Sequence, residues 1–544
     1  MRRRGLHPVS AALLALLLWQ PVTVLLSPGG RGAMEHLLVD QHRVVLDTLA
    51  LAVVAAVVTT GLGTMLAAVR HRYRFRGRTA LHLTALSPLV LPPVCASVAL
   101  LQVWGNNGLL ARITGGPIGH VYGMGGLVAA DVLAMTPVAY LVVLSALRAL
   151  DPGVVEQARD MGMNRWQVVK EVVAPRLRPP LAGVFLLLVA HTVVDIANPL
   201  VLGGGFEVLS TRLREAALAE GDTAAAAASA AVMVAVCGLA AAVMPASIDD
   251  HPLQWHAPAR GHHPSSAAAR LCVAAAWAVA AVGASVVVLT VIGAVPVHLR
   301  SGPGRGWGAL ADERVAVADS LLVASTTTVL AVVLALSGAR GRAARGRRRS
   351  PVSRVLLASS APVLPLALGA LLLWRRRAEA LAPGPAATWA LLALVCLVQC
   401  LVAVPMTSVL IRHRIQAITP GPDQTAAALA VPRRSVLEPL VLPALRSPLT
   451  VVATVVMARC LTSVPSVILL TGPDTPFLAS RIVVEAEAGR VGAASSLALV
   501  SAILVCLWSL GVAAATGLLG AGSRAGARTA VARPCAPSAG RSPV

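Results

Sequence analysis

Apolar runs of about 20 residues recur along the whole chain, separated by short polar segments rich in arginine. An α-helix needs a run of about that length to cross the hydrocarbon core of a bilayer. About twelve spans are predicted, roughly over residues 9–27, 45–69, 81–104, 123–147, 180–202, 223–247, 269–295, 317–338, 353–374, 387–411, 445–470 and 492–519. Lipid offers no partner to an unpaired amide, so these runs are helices and the class is all-α. The first follows Arg2, Arg3 and Arg4 and resembles a signal peptide, but its apolar stretch from Val9 to Leu26 is long for one. It is read as an uncleaved first helix.

Composition supports the same class. Of 544 residues, 56% are hydrophobic and 13% charged, where soluble domains carry about 25% charged residues. The net charge of +22 lies in clusters at Arg2–Arg4, Arg70–Arg78, Arg340–Arg349 and Arg524–Arg541. Short basic loops stay in the cytoplasm, so the charge orients the chain with its N-terminus inside and faces anionic lipid. Loops 70–80, 148–179, 248–268, 339–352 and 412–444 are then cytoplasmic. Arg375, Arg376 and Arg377 conflict with this order, because they fall on the outer side. Nucleic acid is excluded as a partner: aromatic residues are only 3%, too few for stacking platforms. Seven of the eight cysteines, Cys95, Cys237, Cys272, Cys396, Cys400, Cys460 and Cys506, lie in or beside apolar runs, and Cys535 in the tail. They read as small apolar residues, with no disulfide framework and no metal site.

The chain repeats itself. Asp47-Thr48 opens the second span and Asp319-Ser320 the eighth. The next span in each half holds paired prolines, Pro88 and Pro92 against Pro362 and Pro365. Pro137, Pro152 and Pro175 recur 268 residues later as Pro405, Pro420 and Pro443. The predicted organisation is an N-terminal helix and outer loop (1–44), a first half (45–247), a polar linker (248–268), a second half (269–519) and a polar tail (520–544). Duplicated halves are common in transporters, with the pathway between them.

The segment 148–179 is too polar to span a membrane yet has helical periodicity. A first short helix carries Glu156 and Ala158, Gly162 permits a sharp turn, and a second helix follows from about Arg165. Pro175 is expected to stop that helix where the next span begins. A cytoplasmic helix–glycine–helix knob suits docking into a groove on a partner.

This segment resembles the EAA loop of binding-protein-dependent ABC importer permeases. Glu156, Ala158, Gly162, Val172 and Pro175 stand at the family's spacing, with Gln157 and Ala174 as departures. The second copy is degenerate: Gln424, Ala426 and Ala430 replace the opening, and Leu440 and Pro443 keep the ending. The resemblance implies a type I ABC importer transmembrane-domain fold in the cell membrane. It also implies two copies of a cytoplasmic ABC ATPase, unequally gripped by loops 156–175 and 424–443, and an extracytoplasmic solute-binding protein. ATP and Mg would be used by the ATPase alone. The chain has one lysine, Lys170, followed by Glu171, so it has no phosphate-cradling Gly-x-x-x-x-Gly-Lys-Ser/Thr loop and binds no cofactor of that kind.

Further segments resemble the fused permeases of the ferric-iron and 2-aminoethylphosphonate group: Ser87 to Pro93, Asn107 to Leu110, Thr136 to Leu141, and Asp195 to Gly205. The counterpart of the last reads Ser463 to Gly472, with Ser463 for Asp195 and Ser466 for Asn198. Apart from the family, a carboxylate in an apolar span is costly unless paired or wetted, and Asn198-Pro199 breaks the helix ladder. His191, Asp195, Asn198, Ser463 and Ser466 are therefore candidates for the pathway or its gate, against a purely structural hydrogen-bond cluster. Asp131 is a weaker candidate near the outer interface. Gly203, Gly204 and Gly205 offer backbone approach to a docked binding protein; Asp195 and Glu207 offer oxygen ligands but make no site. His251, His256, His262 and His263, with Asp249 and Asp250, read as a solvated linker. Ferric iron leads as cargo, then 2-aminoethylphosphonate or another small anion such as sulfate. A secondary transporter would need mid-membrane carboxylates that are scarce here and would leave loop 156–175 unexplained. A non-transporting scaffold is the third reading.

Overall fold

Prolines and polar residues decide where these apolar runs break. A computed structural model describes residues 8–106, 108–116, 121–243, 263, 265–300, 313–343, 362–378, 384–418, 442–472 and 475–531. The first half comprises α1 (Pro8–Leu25), α2 (Pro28–Val39), α3 (His42–Arg72), α4 (Arg78–Leu86), α5 (Cys95–Trp104), α6 (Leu109–Thr114) and α7 (Met124–Ala149). It continues through α8 (Pro152–Asp160), α9 (Arg165–Gln167), α10 (Ala174–Val194), α11 (Ala197–Leu202), α12 (Leu209–Arg214) and α13 (Thr223–Val243). The second comprises α14 (Ala267–Arg300), α15 (Arg314–Ala343), α16 (Val363–Ala378), α17 (Pro385–Ile418), α18 (Leu442–Thr462), α19 (Leu478–Glu487) and α20 (Val491–Val531). No strand occurs among the described residues, only a bridge between Gly472 and Thr475.

Each predicted span meets a helix. Among the described residues eight helices are long and apolar enough to cross a membrane, or nine if the bent pair Arg78–Val90 and Cys95–Thr114 is one span. Three shorter apolar helices, Ala15–Leu25, Val363–Arg375 and Leu449–Thr462, lie at the first, ninth and eleventh predicted spans.

Three expectations need correction. The third span is not straight: after α4 the chain makes a 3₁₀ turn over Ser87–Val90 and bends by 98° into α5. Pro88, Pro92 and Pro93 remove the amides a continuous ladder would need. The fifth span breaks at Asp195–Ile196, before the expected Asn198-Pro199, and Pro199 sits in the first turn of α11, where its missing N–H does no harm. Pro175 does not stop a helix. A π-helical stretch, Val168–Val173, joins α9 to α10, and the Ala174 amide reaches back to the Val169 carbonyl. The wider turn absorbs the proline.

In the first half α3 packs along α7, with α10 against both; in the second, α15 packs along α17 with α18 against both. Between lipid-embedded helices close approach supplies the attraction. At Gly63 of α3 a side chain would collide with Ala139 and the backbone of Tyr140 on α7. The halves interlock: α1 and α13 lie on α16, while α14 and α20 lie on α5. One continuous core accordingly includes Leu17, Leu101, Val286, Leu366, Val398 and Leu497. Gln102 of α5 donates to the Ser495 hydroxyl of α20 at 2.9 Å across that seam.

The paired motifs that open α3 and α15 do matching work. The Thr48 hydroxyl accepts from the Leu209 amide at 2.9 Å, and the Ser320 hydroxyl accepts from the Leu478 amide at 2.8 Å. Each pins the short helix that follows the break in its own half, α12 or α19. A buried amide left without its acceptor costs about 1–3 kcal/mol. Thr48→Val is therefore expected to lower unfolding stability in detergent by that amount, and Ser320→Ala by a similar one; no change in the melting midpoint of either would contradict the pinning role.

Arg375 also finds its place. It lies at the end of α16 and donates to the Ala217 carbonyl at 2.8 Å, in the connection between α12 and α13. This arginine is thus held by a backbone acceptor of the other half.

Candidate functional site

The segment 152–173 folds as a bent hairpin. Asp151 caps α8, its carboxylate accepting from the Gly153 amide at 2.9 Å. The helix ends in a double-bonded reversal: the Gly162 amide donates to the Arg159 carbonyl at 2.9 Å, and the Met163 amide to the Ala158 carbonyl at 3.1 Å. Gly162 has φ +85°, the left-handed conformation this ending requires. The next helix starts with a reciprocal cap. The Asn164 amide donates to Gln167 Oε1 at 2.8 Å, and the Gln167 amide to Asn164 Oδ1 at 2.9 Å. Ala158 and Val168 are buried, whereas Met161 and Trp166 are 79% and 72% exposed at the bend. Glu156 and Pro175 are exposed, and Val172 is half-buried. Met161, Asn164, Trp166 and Gln167 were not singled out in the sequence; Asn-x-x-Gln is a capping signature readable there.

The counterparts Gln424, Ala426, Ala430 and Leu440 lie outside the described residues, as do His251, His256, His262, Asp249 and Asp250; Pro443 stands in the first turn of α18.

At the C-terminal end of α10 a buried polar network surrounds the helix break. Asp131 on α7 is its hub: Oδ2 accepts from the Thr192 hydroxyl and Oδ1 from the Asn198 amide side chain, both at 2.9 Å. Ser97 on α5 donates to Asn198 Oδ1 at 2.7 Å. Asp195 caps α11 through the amides of Ala197 and Asn198, at 3.2 and 3.4 Å, and its carbonyl accepts from Ser210 at 2.7 Å. Asp195 and Asn198 are 7% and 1% exposed, and the network ties five segments together. Glu207 is exposed, apart from this network.

The second half carries a weaker copy. The 268-residue offset places Gln399 on Asp131 and Ser466 on Asn198. The Gln399 side chain donates to Ser466 at 3.3 Å and to the Cys460 carbonyl at 3.1 Å. Ser466 donates to the Ser463 carbonyl at 2.9 Å. The contact is conserved in place but has lost both carboxylates.

The same offset sets Arg459 on α18 at the position of His191 on α10. His191 is half-exposed and Arg459 exposed. Arg214 pairs with Glu487 across the halves at 3.6 Å. Burial pushes the Glu487 carboxyl up, and Arg214 opposes this; the Arg490 guanidinium beside Glu485 holds that carboxyl below the usual range.

Residues 59–250 match the model of the family described as binding-protein-dependent transport system inner membrane component. A ferric transport system permease protein of Actinobacillus pleuropneumoniae is 29% identical over 180 residues, covering 31% of this chain and 26% of that protein. A thiamine transport system permease protein of Salmonella typhimurium is 32% identical over 174 residues, 30% of this chain and 31% of that protein. A sulfate transport system permease protein of Escherichia coli is 33% identical over 141 residues, 26% of this chain and 51% of that protein. The match spans under a third of the ferric and thiamine relatives and about half of the sulfate one.

Proposed function

We propose, from the match of residues 59–250 to the family of binding-protein-dependent transport system inner membrane components, that this multi-pass membrane protein is the permease subunit of an ATP-driven importer. Two copies of a separate cytoplasmic ATPase supply the energy, and an extracytoplasmic solute-binding protein delivers the cargo. The hairpin around Gly162 carries this reading. It presents two large apolar side chains, Met161 and Trp166, on a rigidly capped bend. ATPase closure would push this knob, and α10, continuous with it through the π-turn, would carry the movement to the network at Asp131, Asp195 and Asn198. There the broken helix works as the gate, and His191, Ser463 and Ser466 border the pathway. The first half grips its ATPase more tightly, because loop 424–443 lacks the glutamate and the glycine.

Ferric iron is the leading cargo, supported by the ferric relative and the segments around Asp195; 2-aminoethylphosphonate or another small anion such as sulfate is the alternative. Co-purification with the cognate ATPase tests the reading. An anchoring tryptophan contributes about 2 kcal/mol or more to an interface, roughly thirtyfold in affinity. Trp166→Ala should therefore strip the ATPase while the membrane protein is still recovered. Undiminished recovery of the ATPase would remove the hairpin from the coupling role.

A further inference from the structure

Where α3, α4, α7 and α14 meet they leave a groove of about 200 Å³, with Leu66, Ala85, Pro88, Pro137, Val279 and Gly283 in its wall. Ala278 and Val282 on its rim are exposed, so it opens on the outside of the bundle. Its lining is apolar except for Thr136, whose hydroxyl donates to the Val132 carbonyl of its own helix at 2.6 Å. Sites for small polar molecules run from about 300 Å³ upward and hold a few convergent polar groups. This groove is smaller and offers none.

One helical turn along each wall, toward loop 70–80, the lining changes character. Arg70 follows Leu66 on α3, His82 precedes Ala85 on α4, and Tyr140 follows Pro137 on α7. Residues three or four apart share a helix face, so these side chains border the mouth of the groove. His82 Nδ1 and the Tyr140 hydroxyl meet there at 2.6 Å. Arg78 donates to the Arg70 carbonyl through Nε and Nη2, at 2.9 and 2.6 Å, which holds the two arginines side by side. A β-carbon on Gly77 would stand 3.2 Å from the Trp277 ring, so the basic loop is laid against α14.

Among the described residues neither Arg70 nor Arg78 makes an ion pair. The four helices carry two acidic residues. Asp47 opens α3, at the far end from Arg70, and Asp131 is engaged by Thr192 and Asn198. The positive charge at the mouth is therefore answered by nothing on the helices that build it. Guanidinium groups offer a fork of donors that fits phosphate oxygens, and basic pockets between membrane helices hold anionic headgroups.

We infer that this groove is a binding site for an anionic phospholipid, with one acyl chain along Leu66, Pro137 and Gly283 and the phosphate held by Arg70 and Arg78. An apolar groove ending in paired arginines matches a molecule with an apolar chain and an anionic head. A zwitterionic headgroup would bring a cation against the same arginines. Because α14 belongs to the second half, the bound lipid joins the two halves where their own side chains leave a gap.

The inference is independent of the importer reading, and its test needs no ATPase. The full chain is extracted from nanodiscs holding equal amounts of phosphatidylglycerol and phosphatidylcholine, and the retained lipid is counted by native mass spectrometry. An arginine facing anionic lipid contributes roughly fivefold in affinity, so phosphatidylglycerol should be retained over phosphatidylcholine by about that factor or more. Arg70→Gln should lower the preference about fivefold. Gly283→Leu leaves both arginines in place and fills the groove: a β-carbon there stands 3.5 Å from Pro88, in ordinary contact. It should lower retention of phosphatidylglycerol at least threefold, and it decides the matter alone if Arg70→Gln does not fold. Excess inorganic phosphate should not release the lipid. Equal retention of the two lipids overturns the inference, as does a Gly283→Leu protein that retains phosphatidylglycerol undiminished. Release by inorganic phosphate would leave an anion site without the groove, and would overturn it too.

Discussion

Gly162→Pro is expected to abolish recovery of the ATPase with the membrane protein. Proline fixes φ near −65°, and the native value is +85°. The amide that closes α8 onto the Arg159 carbonyl would also be lost. The hairpin could then not turn between Ala158 and Asn164, and Met161 and Trp166 would leave their common bend. Gly162→Ala separates backbone from space. Nothing lies within 4 Å of a β-carbon built there, so only the left-handed conformation is penalised, by about 1–2 kcal/mol. Alanine should weaken the complex roughly tenfold, and proline should eliminate it, with thermal unfolding of the bundle unchanged in both. Equal recovery from all three proteins would show that the bend does not carry the contact.

The second large effect concerns the network at the helix break. Asn198→Leu keeps the volume but removes one donor from Asp131 and the acceptor of Ser97. An unsatisfied buried hydroxyl costs about 1–3 kcal/mol, and a carboxylate oxygen more. The variant should lose about 3 kcal/mol or more of stability in detergent unfolding. Ser466→Ala at the equivalent place should lose only about 1 kcal/mol, because Gln399 keeps its bond to the Cys460 carbonyl. Similar losses from the two would mean that the carboxylates add nothing to the first network.

Much of this was legible in the residues. Twelve apolar runs located the helices, and Gly162 with Ala158 located the hairpin, because composition and turn chemistry act over a few neighbours. Pro175 misled for the same reason: a proline reads locally as a stop, but a π-turn absorbs it when the flanking helices are otherwise anchored. The break at Asp195 lay three residues before the expected one, since the cap that ends α10 is a side chain folding onto amides that follow it. Asp131 was underrated, because its partners Thr192 and Asn198 come from a span 61 and 67 residues away. Gln399 and Arg459 were within reach. The offset that aligned the prolines also lays them on Asp131 and His191, but a glutamine and an arginine do not resemble what they replace.

The exchange of helices between halves bears on how the protein is made. α1 leaves the ribosome long before α16 exists, so it must wait in lipid for its partner. A chain halted at the linker would keep the complete hairpin of the first half, and α1 would rest on α2 and α13 alone, without the surface of α16. The first half thus completes its packing only when the second supplies that surface.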